Sequence, residues 1–179
     1  MSELTVYKAG DLTNPERIGE HRKMREILGD RGIRFEQWEA NAPLTAESTS
    51  DEILSAYRTQ VDGLMKESGF ESVDVISLYP EHPQKDVMRE KFLNEHIHTD
   101  DEVRFFVDGQ GMFYLRFDDA VLTVLCEKGD LISVPSNQRH WFDMGPMPDF
   151  KCIRLFTDEA GWVAQMTGDD IANRYPRFE

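Results

Sequence analysis

Little in this sequence is basic and almost none of it is cysteine. Twenty Lys and Arg stand against 34 Asp and Glu, a formal net charge of −14 over 179 residues. So acidic a surface repels phosphate backbones and anionic lipid headgroups, so neither nucleic-acid nor membrane binding is expected. The two cysteines, Cys126 and Cys152, show no CxxC spacing and lie in apolar runs. They read as small core residues, not as a disulfide or a catalytic thiol. No apolar run is long enough for a bilayer span, and Met1-Ser2-Glu3-Leu4 has none of the basic and apolar segments of a secretory leader. A cytoplasmic protein is expected. Low-complexity tracts are missing too, and 40% hydrophobic residues suffice for one core, so residues 1–179 are expected to form a single domain. The high charge and the lack of an obvious apolar surface helix lean towards a monomer.

The texture of the sequence changes near residue 94. Residues 1–93 read as mixed α/β: strands at 4–7, 33–38 and 73–79, and helices at 16–28, 51–65 and 84–93. The helix at 51–65 is the best marked, with Ser50 as a candidate N-cap and Ile53, Leu54, Tyr57, Val61 and Leu64 at helical spacing. In the helix at 84–93, Val87, Met88 and Phe92 suggest a buried stripe. Residues 94–156 read as strands at 102–107, 111–117, 121–127, 131–134, 140–144 and 151–156. Turn signals separate them, including Asp108-Gly109-Gln110-Gly111 and Lys128-Gly129-Asp130. Many short strands at this spacing indicate a mostly β fold with flanking α, a double-sheet jelly roll with the N-terminal helices packed outside. The tail, 157–179, is polar but carries Trp162, Met166, Ile171, Tyr175 and Phe178, which would fold it back over the surface.

The chemistry lies in three of the five histidines. His96-Ile97-His98 places two imidazoles on one face of a strand, and Glu102 and Arg104 continue the same parity. His140 opens a later strand that can cross to face them. Three imidazoles and a carboxylate form a nitrogen and oxygen donor set suited to iron, nickel, cobalt or manganese. Four protein ligands would leave two positions open on an octahedral ion, the mark of a catalytic metal. His21, in a polar helix, and His82, before Pro83, read as surface residues.

These segments resemble the two cupin motifs: His96, His98, Glu102 and Gly109 in the first, Gly129, Pro135 and His140 in the second. Glu90, Asn137 and Met144 stand where the motifs more often have Gly, Gly and Asn. The longer stretch Glu95-His96-Ile97-His98-Thr99-Asp100-Asp101-Glu102-Val103-Arg104, then Gly109-Gln110-Gly111 and Arg139-His140-Trp141-Phe142, is similar to the acireductone dioxygenases. The resemblance implies a cupin-type double-stranded β-helix with one Fe²⁺ or Ni²⁺ per chain. It further implies a dioxygenase of methionine salvage, acting with O₂ on an acireductone, an enediol ketone with a methylthio side chain. With Fe²⁺ the family yields the 2-keto acid precursor of methionine and formate; with Ni²⁺ it yields methylthiopropionate, formate and carbon monoxide. The alternatives are another three-histidine, one-glutamate cupin oxygenase, an oxalate-degrading enzyme, or a metal- or ligand-sensing cupin without turnover. The Asp100–Arg104 context favours the first reading, and no basic helix-turn-helix candidate supports a regulator.

Arg104 is expected to stabilise the substrate dianion, a role the resemblance also gives it. The competing reading is an ion pair with Glu95, Asp100 or Asp101. Glu95 and Asp101 flank the ligands and would either orient imidazoles from behind or sit in solvent. Phe106, Phe142, Met144 and Trp162 are candidates for an apolar wall around the methylthio group, or else core.

Overall fold

The computed structural model describes residues 1–179. Eleven strands and four α-helices follow one another along the chain. The strands are β1 (Glu3–Lys8), β2 (Glu16–Ile18), β3 (Arg34–Gln37), β4 (Ser72–Leu78), β5 (His96–Ile97), β6 (Glu102–Arg116), β7 (Ala120–Glu127), β8 (Asp130–Val134), β9 (His140–Asp143), β10 (Phe150–Phe156) and β11 (Gln165–Met166). The helices are α1 (His21–Gly29), α2 (Ser50–Ala56), α3 (Arg58–Ser68) and α4 (Lys85–Phe92). The chain is mostly β, as expected of a cupin-type fold.

One strand organises the rest. The first half of β6 lies between β10 and β8, with β4 and β3 outside them. Its second half lies between β7 and β9, which continue to β1–β2 and to β5–β11. The two sheets therefore share β6 and fold face to face, while β2, β11, β3 and β4 remain as edges, so the barrel is not closed. The expected turn at 108–111 is instead the bend inside β6. Pairing with β10 slips by one residue between Lys151 and Cys152, and Gly109 takes φ 67° at the slip. A bulge bends a strand without ending it, and turn-type residues mark a bulge as readily as a turn. The N-terminal strands are also more than an outer layer, since β1 pairs with β7, β3 with β8 and β4 with β10.

Alternation along β6 sets the layers. Glu102, Arg104 and Phe106 face between the sheets, where Phe106 joins Phe113, Phe142, Phe150 and both cysteines in the main core. Val103, Phe105 and Val107 face outwards and are covered by Ile53, Tyr57, Val61 and Leu64 of the α2–α3 region. A third small cluster, Tyr114, Val121 and Trp141, is covered by Ala172, Ile171 and Tyr175 of the tail, while Met166 stays 49% exposed. Both thiols are fully buried, and burial pushes the Cys152 thiol up to about 12.

Three local expectations shift. Residues 16–18 form an edge strand, and α1 begins only at His21. The helix expected over 51–65 is two helices meeting at Tyr57, and its cap is Thr49, not Ser50. Thr49 and Glu52 form a reciprocal capping box, which satisfies two free N–H groups at once. Val87 is 70% exposed, so only Met88 and Phe92 of the expected stripe pack against the core.

No helix is long and apolar enough to cross a membrane. A Cβ placed at Gly109 would lie 1.8 Å from the carbonyl oxygen of Asp149, in a backbone region that favours glycine. Gly109→Ala is expected to lower stability by about 1–3 kcal/mol in urea unfolding. Gly29→Ala, at a helical position where the added methyl group meets nothing within 4 Å, is the control and is expected to be unchanged or slightly stabilised.

Candidate metal centre

β5 and β9 run antiparallel with His96 directly opposite His140, and His140 also lies opposite Leu115 of β6. His98 follows β5 in coil, where its carbonyl accepts the Asn137 N–H at 2.8 Å. Asn137 takes φ 61° to make this turn, and asparagine is among the few non-glycine residues that enter that region at little cost. That accounts for Asn137 at a position where the motif more often has Gly. The three rings converge: centroids are 4.4 Å apart for His96 and His140, 5.1 Å for His96 and His98, and 5.3 Å for His98 and His140. One ring nitrogen from each lies within 4.8 Å of the others, and all three residues are buried.

Glu102 reaches the same point from the other sheet. Its Oε2 is 3.2 Å from Nε2 of His98 and 3.4 Å from Nε2 of His140, while Oε1 accepts from Arg104 Nε at 2.5 Å. The short distances to the imidazoles are not hydrogen bonds. Glu102 Oε2, His140 Nε2 and both ring nitrogens of His98 are buried without a hydrogen-bond partner. Nδ1 of His96 lies 2.7 Å from the Asn94 carbonyl, and Nδ1 of His140 lies 2.7 Å from the Gln138 carbonyl. A carbonyl only accepts, so both Nδ1 atoms carry the proton and both Nε2 atoms keep a lone pair. The lone pairs of His96 and His140 converge with a carboxylate oxygen on one buried point, with no proton of their own between them, and repel one another unless a cation joins them. These residues fit a divalent metal ion, and no thiolate is among the donors.

Electrostatics favour the same state. Burial, reinforced by the neighbouring His140, pushes the His96 imidazole down to about 3. Burial pushes the Glu102 carboxyl up, but the Arg104 guanidinium, foremost, and the adjacent His140 and His98 rings outweigh it. The net position is well below the usual carboxylate range.

Arg104 is 2% exposed and sits over three aromatic rings, 5.0 Å from Phe142, 5.1 Å from Phe113 and 5.7 Å from Phe92. Its ion-pair partner is Glu102, not Glu95, Asp100 or Asp101, and its Nη1 has no partner. The three acids are engaged elsewhere. Asp100 accepts from the Thr157 amide and hydroxyl, and Asp101 accepts from the Ser136 N–H at 2.8 Å. Glu95 is 1% exposed, so it is no surface acid, and it pairs with Arg116 at 3.0 Å. Neither Glu95 nor Asp101 bonds an imidazole; backbone carbonyls do that. No residue-type signal marks a carbonyl acceptor, and for that reason Asn94 and Gln138 escape a reading of the sequence.

Phe106, Phe142 and Met144 are at most 2% exposed, within the inter-sheet core. Of these, Phe142 touches the site through Arg104. Trp162 is half-buried, stands 6.0 Å from Phe156, and leaves its indole N–H buried without an acceptor; Phe156 in turn lies 5.7 Å from His98. His21 is half-buried against Phe35 and His82 stacks edge-on to Tyr79, both apart from the cluster.

The lowered His96 value has a consequence for pH. From pH 6.5 down to about 3 the unfolded chain takes up a proton at this ring that the folded chain refuses. Stability from this group is fully present above 6.5 and is lost as pH falls towards about 3, by about 1.4 kcal/mol per pH unit. Urea unfolding of the metal-free protein between pH 6.5 and 5 is expected to show this slope, reduced in His96→Gln. Equal slopes would contradict the buried neutral ring.

Known proteins share this architecture. The sequence model described as the ARD/ARD' family matches residues 5–164. The acireductone dioxygenase of Pseudomonas savastanoi pv. phaseolicola is 53% identical over 180 residues, covering 100% of this chain and 99% of the relative. That of Aquifex aeolicus is 50% identical over 184 residues, covering 100% and 97%. Among solved structures, the acireductone dioxygenase from Bacillus anthracis with a cadmium ion in its active centre superposes with a TM-score of 0.82. It is 32% identical and the match covers 92% of this chain and 98% of that one. With full-length relatives at this identity and a family match over most of its residues, the chain belongs to the ARD/ARD' family, that of the acireductone dioxygenases.

Proposed function

We propose that this chain is an acireductone dioxygenase holding one Fe²⁺ or Ni²⁺ through His96, His98, Glu102 and His140. The observation that carries the reading is the set of buried, partnerless donor atoms on His98, Glu102 and His140, with His96 converging on them, beside an arginine with a free Nη1. A divalent cation there would supply Lewis acidity, which would favour the enediol as its anion. The protein's own groups do the rest. The neutral imidazoles and ionised Glu102 present electron pairs without first losing a proton. Arg104 Nη1 points a charged donor at the oxyanion that develops on the substrate, held in place by Glu102 and by the Phe92, Phe113 and Phe142 rings. Those rings also keep water from the buried charges, so each electrostatic contact is stronger than in solvent. Phe142 and Trp162 are the proposed contacts for the methylthio end.

The substrate is proposed to be the methylthio-bearing acireductone, oxidised with O₂ in methionine salvage by a cytoplasmic monomer. The Fe²⁺ form would give the 2-keto acid precursor of methionine and formate, and the Ni²⁺ form methylthiopropionate, formate and carbon monoxide.

Oxygen consumption with a synthetic acireductone tests this on protein stripped of metal and reloaded separately with Fe²⁺ and Ni²⁺. Uptake in both, with carbon monoxide only in the nickel sample, is expected; uptake in neither sinks the proposal. His98→Ala and His140→Ala are expected to lose both bound metal and oxygen uptake. Arg104→Lys, which keeps a charge beside Glu102 without the planar fork, should retain metal while turnover falls about 100-fold. Unchanged turnover would remove Arg104 from the mechanism.

A further inference from the structure

We infer that Arg116 and Gln138 are positioning residues that fix the tautomers of His96 and His140 through the backbone carbonyls those rings bond. The inference rests on the proposed metal site, in that the Nε2 lone pairs so fixed are the ones offered to the cation. The Asn94 carbonyl that takes the His96 proton belongs to the peptide unit joining Asn94 to Glu95, so whatever holds Glu95 holds that carbonyl. Both Glu95 carboxylate oxygens accept from Arg116 Nη1, at 3.0 and 3.1 Å. The Thr167 hydroxyl donates to Oε1 at 2.7 Å, and the Thr167 N–H donates to the Glu95 carbonyl at 3.1 Å. Glu95 is thus pinned at its side chain and its backbone.

The second carbonyl is held from the same residue. The Gln138 carbonyl takes the His140 proton, and it belongs to the peptide unit that joins Gln138 to Arg139. The Gln138 side-chain amide donates to the Arg116 carbonyl at 2.7 Å and to the Arg139 carbonyl at 3.0 Å. The Arg116 N–H donates to the Arg139 carbonyl at 2.9 Å. Arg116, the last residue of β6, therefore serves one ligand strand with its guanidinium and the other with its main chain. Asp169 steadies the guanidinium from outside, accepting from Nη1 at 2.9 Å. Neither Arg116 nor Gln138 bonds a ring nitrogen, so each acts only through a carbonyl.

Nitrogen-15 NMR of the imidazoles in metal-free protein reads the tautomers directly. Combining Arg116→Met with Glu95→Gln removes the guanidinium without leaving a buried carboxylate uncompensated. In this variant His96 is expected to become a mixture of tautomers while His140 keeps its proton on Nδ1. Gln138→Leu, which keeps the carbonyl but loses the amide, is expected to do the reverse. Arg116→Lys, which keeps a charged donor for Glu95, is expected to restore a single His96 tautomer. In competition with a chromophoric chelator, the first two variants should bind Ni²⁺ about 10–100-fold more weakly than wild type. Unmixed tautomers in both, with wild-type Ni²⁺ affinity, would overturn the positioning role and leave the metal site standing. Wild-type protein that takes up no Ni²⁺, with tautomers shifting as stated, would overturn the metal site and leave the positioning role intact.

Discussion

The site depends on how Glu102 divides its two oxygens. A carboxylate buried among aromatic rings stays ionised only beside a positive charge, and Arg104 supplies it at Oε1. The other oxygen is then free to face the imidazoles with no proton of its own. Arg104 is fixed in turn by this pair and by three ring faces, which leaves one end of its fork unspent. The same ion pair therefore keeps the donor set anionic and leaves Arg104 Nη1 buried without a partner beside it. Removing either partner would strand a charge in the core, at a cost of about 3–5 kcal/mol.

The bend in β6 makes that division geometrically possible. Because the strand passes from one sheet to the other, Glu102 and Arg104 lie on the first sheet while Leu115, near its far end, lies opposite His140 on the second. The residues around the bulge permit the turn between sheets without breaking the ladder. Gly109 lies where any side chain would meet the Asp149 carbonyl, and a Cβ at Gly111 would lie 2.3 Å from the Phe142 ring.

Much of this was legible in the sequence because it depends on residue type and parity. His96, His98, Glu102 and His140 have both, and strand alternation put Glu102 and Arg104 on one face. Other features depend on partners far along the chain or on groups that every residue carries. Glu95 could be read only as an acid that orients an imidazole or one that sits in solvent, until Arg116 is found beside it, 21 residues on. The carbonyls of Asn94 and Gln138 leave no mark in composition. The Gly109 bulge and the break at Tyr57 escaped for a further reason. Glycine serves a turn and a bulge alike, and helical spacing runs on unbroken from Ile53 to Leu64 although Tyr57, at φ −113° and ψ 22°, leaves the helical region; its hydroxyl accepts the Ala42 N–H at 3.1 Å.

His96 and His140 belong to one sheet and Glu102 to the other. An ion bonded to all of them is thus a stitch through both layers, at a rim where no strand pairing closes the gap between β5 and the start of β6. Loading the site is therefore also a mechanical event. Were the proposed ion bound, the two layers could part at this rim only after bonds to it had broken. Proteolysis or hydrogen exchange around 94–101 and 135–140 thus reports occupancy without any substrate present.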